Sequence, residues 1–363
     1  MSMVARVSTD RFVLALASLA LGACLVTEET GPTTAPAAAP QETSGATTTA
    51  PPPAGTDATA SVIVQPPEVT GGVAQRPTLP PDPPPPADGR YPIVLDRPAQ
   101  VGVAVRFEAR GEKRSRQRRQ LPGGQPTDMT ELLVVRMAGV HTVLEIDSTG
   151  DAVRSQIEVA SCTAEGTGRP EPLIPAGATL VIETAVRPAE GRFLVNGSAV
   201  SDRVREHLKI LFSASRNPTS DDDVFGSPGR PRRVGERWNV TVAPMVTAFA
   251  DLFPGLSPGD IRGRTTFHGV AQQAGRTYLD IGVDITMRIR QVANLPPGTR
   301  VVRGTMRMRP RGLFSVTPGL PAPRDTMSMD SELDMRIPTP AGQASLQMTI
   351  TESREFTRVA SSE

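Results

Sequence analysis

From about residue 91 to residue 359, apolar and polar side chains alternate with a period of two. In "YLDIGVDITMRIRQ", Leu279, Ile281, Val283, Ile285, Met287 and Ile289 fall on one side, and Asp280, Asp284, Arg288 and Arg290 on the other. The alternation returns through Val101, Val103, Val105 and Phe107, through Met327, Met329, Leu333, Met335 and Ile337, and through Leu346, Met348 and Ile350. Successive side chains of a strand point to opposite faces, so these runs predict antiparallel strands with one buried and one wet face. Turn signals such as "DSTGD" at 147–151 and "VNGS" at 195–198 separate them. Helical spacing governs one stretch, about 201–215, where Val204, His207, Leu208 and Leu211 share a stripe and Ser201 or Asp202 is placed to cap. "MVTAFADLF" at 245–253 is a second candidate helix. The predicted class is mainly β: large antiparallel sheets with one or two short helices.

An internal repeat divides this body. "IPAGATLVIETAVRPAEGRFLV" from Ile174 and "LPPGTRVVRGTMRMRPRGLFSV" from Leu295 match without gaps at Pro175/Pro296, Gly177/Gly298, Gly191/Gly312, Phe193/Phe314 and Val195/Val316. Each reads as a Pro-Gly turn, a long strand, a turn with Gly and a Phe-x-Val strand. The expectation is two duplicated β-rich units, 91–220, carrying the helix at about 201–215, and 221–363. A helix of 15 residues is only about 22 Å long, too short to cover a wide sheet, so the two sheets are expected to close on each other.

The N-terminal quarter has another pattern. Arg6 and Arg11 precede "FVLALASLALGA", an apolar run too short to span a bilayer, which ends at Leu21-Gly22-Ala23-Cys24. This stretch resembles the signal peptide and lipobox of bacterial lipoproteins. The resemblance implies a signal over 1–23, a diacylglyceryl thioether on Cys24 with cleavage before it, acylation of the new amino group, and membrane attachment through those chains. With Leu rather than Asp at position 25, the resemblance places the anchor in the outer membrane. Residues 24–90 follow, rich in Pro, Thr, Ala and Gly, with too little apolar surface to offset the entropy of ordering; they read as a tether. "SVIVQ" at 61–65 is its one apolar island.

Composition adds exclusions more than assignments. The 39 basic residues, of which only Lys113 and Lys209 are lysine, nearly balance 38 acidic ones, so no global field points to nucleic acid. Of two cysteines, processing blocks Cys24 and leaves Cys162 alone, which rules out an intramolecular disulfide and argues against a Cys-ligated metal. His141, His207 and His268 form no H-x-x-x-H pair, and no cofactor is expected. "GLSPG" at 255–259 matches G-x-S-x-G, but Pro258 follows Ser257 and has no N–H to offer an oxyanion, so a loop is expected. "SDDDVFG" at 220–226 places Arg232 where a calcium loop needs Glu, and reads as a solvated loop.

Two patterns remain as candidate sites. "RGEKRSRQRR" at 110–119 puts Arg114, Arg116 and Arg118 on one face of an extended strand, a patch for an anionic partner; such charges also protect sheet edges, and an edge strand or hairpin is expected here. Met327, Met329 and Met335 share a face that an apolar ligand would use if it were left open. "VGERW", which holds Trp238, resembles the corresponding stretch of β-rich bacterial lipoproteins built from two similar halves. That resemblance implies architecture and no activity; Trp238 reads as a core anchor. Without a catalytic set, the expected function is a non-enzymatic interaction or scaffold module of the envelope, its partner an unknown envelope protein. The alternative is a carrier of lipid or another apolar ligand. A sheet face filled by the chain's own helices favours the module, and an open one the carrier.

Overall fold

The computed structural model describes residues 81–360, apart from Arg97, Arg187, Pro188, Asn217, Pro218, Pro228, Pro318 and Gly319. Cys24, the lipobox, "SVIVQ" and most of the expected tether therefore lie outside the described residues.

The chain enters the sheet in its middle. Strand β1 (Ala104–Gln120) is followed outward by β2 (Thr127–Ile146), β3 (Ala152–Glu165) with the short β4 (Glu171–Pro172) on its flank, β5 (Thr179–Glu183), β7 (Arg192–Val195) and β8 (Ser198–Ala199). Between them β6 (Ala185–Val186) pairs in parallel with β9 (Ser215–Arg216), apart from the main sheet. A crossover carries helices α1 (Asp202–Leu208) and α2 (Asp221–Phe225) and delivers the chain to the opposite edge at β10 (Arg237–Asn239). Helix α3 (Val242–Phe249) and a 3-10 turn (Pro258–Asp260) come next. Then β11 (Ile261–Gln273), β12 (Arg276–Arg288), β13 (Arg300–Ser315), β14 (Arg324–Thr339) and β15 (Gly342–Ala360) step back inward. Strand β15 closes on β1 in antiparallel register from Val105↔Ala360 to Gln120↔Ser345. The outcome is one antiparallel sheet of 13 strands with β10 and β8 at its ends.

The mainly-β class is as expected, and so is the alternation except at Val101, which is exposed in a turn before β1, and Val103, which also precedes the strand. Closure of two sheets on each other is not found. A single sheet buries one face beneath the chain's own segments: the run before β1, the crossover, and the stretch around α3. On β15 the inward row Ala344, Leu346, Met348, Ile350, Arg354, Phe356 and Arg358 is buried, while Ser345, Gln347, Thr349, Thr351 and Ser353 point outward. Over β10–β15 the cover consists of Ile93 and Leu95, Val224 and Phe225 of α2, Met245 and Phe249 of α3, and Leu252 and Phe253. Over β1–β7 it is Leu208, Ile210, Leu211, Phe212 and Ala214. Gly111 in β1 shows how close this cover comes: a Cβ there would stand 2.5 Å from the Ile210 side chain. The path strands at about 4.8 Å each span roughly 50 Å, so one short helix could not serve, and two separate plugs do.

Several local expectations change. The helix expected over about 201–215 stops at Leu208, with Ser201 Oγ accepting from Val204 N at its start; residues 210–214 instead form a buried turn. "SDDDVFG" is a third helix rather than a solvated loop. Its Ser220 and Asp223 cap each other, Asp221 is buried, and Asp222 accepts from the backbone N–H of Leu95 (2.7 Å) and Asp96 (3.2 Å), pinning the incoming segment. The basic run 110–119 lies in the first arm of the β1–β2 hairpin, as expected, but not at an edge: β1 is flanked by β15 and β2 along its length. The matched repeat segments share their opening turns, with Gly177 and Gly298 at φ near +80° and both Phe193 and Phe314 buried. Their paths then differ, for 179–195 folds back as the β5–β7 hairpin whereas 300–315 runs on as one strand, β13. Residues 81–90, expected within the tether, are already held where Asp82 accepts from Thr317 Oγ1 (2.5 Å) and Arg276 (3.3 Å).

Candidate functional site: an arginine-lined trough on the open face

The two faces of the sheet differ in kind. Inward positions of β12–β15 carry Met287, Met306, Met308, Met327, Met329, Met335 and Met348, all buried. Methionine fills irregular gaps, which suits a face that must fit helices and extended chain at once. Met327, Met329 and Met335, the candidate apolar-ligand face, therefore lie inside the core under the chain's own cover.

A charged seam separates this core from the one beneath β1–β7. Arg358 donates to Asp325 and, at 2.9 Å, to the Ala322 carbonyl, and its guanidinium lies 5.0 Å from the Phe356 ring. Arg354 donates to the Leu211 carbonyl at 3.5 Å, tying the crossover to the sheet. His141 is buried nearby; burial, with Arg358 beside it, pushes its imidazole down to about 3, so it is neutral at ordinary pH. Cys162 is buried as well, and burial pushes its thiol up to about 12, which makes it a core residue rather than a nucleophile. Ser257 donates its hydroxyl to Asp260 at 2.6 Å as part of the cap of the 3-10 turn, as the loop reading of "GLSPG" expects. Trp238 donates to the carbonyls of Phe225 (2.9 Å) and Gly226 (3.0 Å) and sits in the core as an anchor.

The outward face over β10–β14 forms a trough of about 1200 Å³. Six arginines line it: Arg237 from β10, Arg262 and Arg264 from β11, and Arg307, Arg309 and Arg311 from β13. Strand alternation puts all six on one side, and the register brings β10, β11 and β12 together through Asn239↔Arg264 and Arg264↔Asp284. Arg307 takes Asp284 with both Nε (2.9 Å) and Nη2, Arg311 takes Asp280 (2.8 Å at Nε), and Arg309 takes Asp330 (3.1 Å). The bond from Arg307 holds Asp284 below the usual carboxylate range. A β-bulge between Phe267 and Gly269 re-aims His268 across the sheet. Its Nε2 lies where a Cβ on Gly282 would be, 2.6 Å away, so only glycine admits the ring at that position.

Arg114, Arg116 and Arg118 occupy the same open face, exposed on β1, with Arg114 3.6 Å from Glu112. The structure does not bring them into the trough, since β14 and β15 intervene between β13 and β1. The trough arginines were missed as a group. "IRGRT" and "RMRPRG" show arginine at alternate positions, yet their convergence depends on strand order, which alternation does not reveal. Among the described residues, no group of three or more His, Cys, Asp or Glu side chains is placed to hold a metal.

No protein-family model matches the chain, and no curated protein matches it in sequence. Among solved structures, one described as lipid-protein interactions in lipovitellin overlaps 72% of this chain at 7% identity and a TM-score of 0.32. The chain spans about a quarter (25%) of that protein's length. Pseudomonas aeruginosa OccK2 (OpdF) in complex with glucuronate overlaps 72% of this chain and 100% of its own, at 9% identity and a TM-score of 0.14. At such scores the overlaps carry no argument about ligand or activity.

Proposed function

We propose that this chain is a membrane-anchored, non-enzymatic interaction module of the bacterial envelope that presents the open face of its sheet to an anionic partner. The observation that carries this reading is the contrast between the faces. The apolar face is filled by the chain's own segments from Ile93 to Phe253, while the arginine-rich face is uncovered among the described residues. A carrier needs an unfilled apolar cavity of a few hundred Å³. One space against the covered face, beside Leu95, Phe225 and Phe314, is about 20 Å³, room for about one water.

Attachment belongs to the proposal too. Leu21-Gly22-Ala23-Cys24 supports lipidation of Cys24 and outer-membrane residence, and no helix among the described residues is long and apolar enough to cross a membrane. Native mass spectrometry of the full chain extracted from membranes tests both parts. The expected species is the chain acylated at Cys24 with no further bound lipid. An unmodified Cys24 would remove the anchor; a stoichiometric additional lipid, lost on Met329→Glu without unfolding, would make the protein a carrier.

A further inference from the structure

We propose that the β10–β11 side of the trough is a binding site for a phosphate monoester carried on a larger, water-soluble ligand. The inference rests on the reading of the open face as the binding face, and supplies its chemistry.

Asp284 stands opposite Arg264 in the β11–β12 register, the natural place for a cross-strand pair. Both its oxygens instead accept from Arg307, which reaches in from β13. Arg309 and Arg311 are likewise matched to Asp330 and Asp280. That leaves Arg237, Arg262 and Arg264 with no carboxylate in ion-pair range among the described residues, three guanidiniums exposed on two adjacent strands. Alternate residues of one strand lie about 6.8 Å apart, and diagonal neighbours across a strand pair about 7–8 Å, within the swing of arginine side chains onto one anion.

Three cations this close repel one another, and a mixed Arg/Asp surface would relieve the strain cheaply by adding one acid. The β12–β14 side of the same trough does so at each of its arginines, and the β10–β11 side at none. Among the described residues none supplies the counter-charge, and a bound anion would. A carboxylate brings a single negative charge, while a phosphate monoester brings about −1.5 to −2 with three terminal oxygens, and the arginine fork fits such an oxyanion in a bidentate way. The trough continues from these three arginines to Arg307, Arg309 and Arg311, which leaves room beside a bound phosphate for the rest of a larger ligand. Shape selects against a flat bilayer, whose headgroup plane cannot follow a recess.

The test is calorimetric titration of the full chain in detergent micelles with inorganic tripolyphosphate at about 0.15 M salt, where Debye screening over about 8 Å suppresses diffuse attraction. The expected result is a single 1:1 site weakened at least 30-fold by Arg262→Gln with Arg264→Gln. Arg116→Gln with Arg118→Gln, on the same face at β1, is expected to leave affinity within twofold. The β11 changes remove no ion pair, so an unchanged melting temperature certifies the fold. Equal weakening by both double variants would overturn the site while leaving an anion-attracting face. Preference for hepta-glutamate over tripolyphosphate would overturn the phosphate assignment in favour of an acidic peptide. Binding of neither anion would overturn the site together with the reading of the open face.

Discussion

The two faces of this sheet are built from the same strands, one residue out of phase, and they have opposite fates. On β14, Met327, Met329, Leu333 and Met335 point one way and are buried; Thr326, Ser328, Asp330 and Glu332 point the other and meet solvent. On β13, Met306 and Met308 alternate with Arg307 and Arg309. A half-buried sheet needs something to cover its apolar side. Here the topology provides much of the cover: because the chain enters in the middle of the sheet and must travel from one edge to the other, its crossover lies across the face that needs burying, and the segments before β1 and around α3 complete it. The other side is left free to carry charge. Packing and recognition are thereby assigned to separate faces.

The largest expected effect is on the covered face. Met329→Glu places a carboxylate at a position 3% exposed among Leu and Met side chains, and should unfold the protein, because desolvating an unpaired charge there outweighs the few kcal/mol that hold a typical domain. Circular dichroism and thermal melting read it directly; a cooperative melt near that of the parent would show that the face is not a core.

Next comes the charged seam. Arg358→Ala leaves Asp325, 1% exposed, without its guanidinium, and should cost about 3–5 kcal/mol in urea unfolding. A loss under about 1 kcal/mol would mean that water enters the seam.

The buried imidazole gives a pH dependence with a definite sign. The His141 pKa is lowered from 6.5 to about 3 in the folded state, so the unfolded chain takes up its proton first as pH falls. Its contribution is intact above about 6.5 and is lost progressively towards about 3. In His141→Gln, stability should decline less steeply over that window than in the parent; parallel curves would place His141 in contact with water.

The smallest effect is expected from the partner change on the open face. Thr349→Glu sits outward on β15, opposite Arg116, and should alter stability by no more than about 0.5 kcal/mol. A loss comparable with that of Met329→Glu would erase the difference between the faces.

Strand positions and the identity of the buried face were legible because period-two alternation is local: Leu279 to Ile289 and Met327 to Ile337 face inward as their spacing predicts. What covers them was not legible. The apolar stripe of 201–215 was visible, but helix propensity could not show that residues 210–214 turn down onto Gly111, a contact with a strand about a hundred residues away. The same limit hid the trough. Arg264 and Arg307 belong to non-adjacent strands and meet across Asp284 only through the register of β11, β12 and β13. Arg114, Arg116 and Arg118 were legible because three arginines on one strand face need no register, although excluding an edge position required the strand order. The repeat misled in part, since matching Pro-Gly turns fix how a segment begins and not whether its next glycine, Gly191 or Gly312, sits at a turn or within a strand.

Methionine oxidation shows most directly whether the inward face is core where the chain's own segments cover it, with probes the protein already carries. Met129, opposite Gln117 on the inward row but beyond the cover, is 51% exposed, whereas Met327, Met329 and Met335 beneath the cover are at most 9% exposed. In dilute peroxide, followed by peptide mass spectrometry, Met129 should oxidise at the rate of a free side chain. Met327, Met329 and Met335 should react only as fast as the protein globally unfolds, and all three together. Oxidation of those three in the folded protein at a rate near that of Met129 would show an open apolar face and contradict the account.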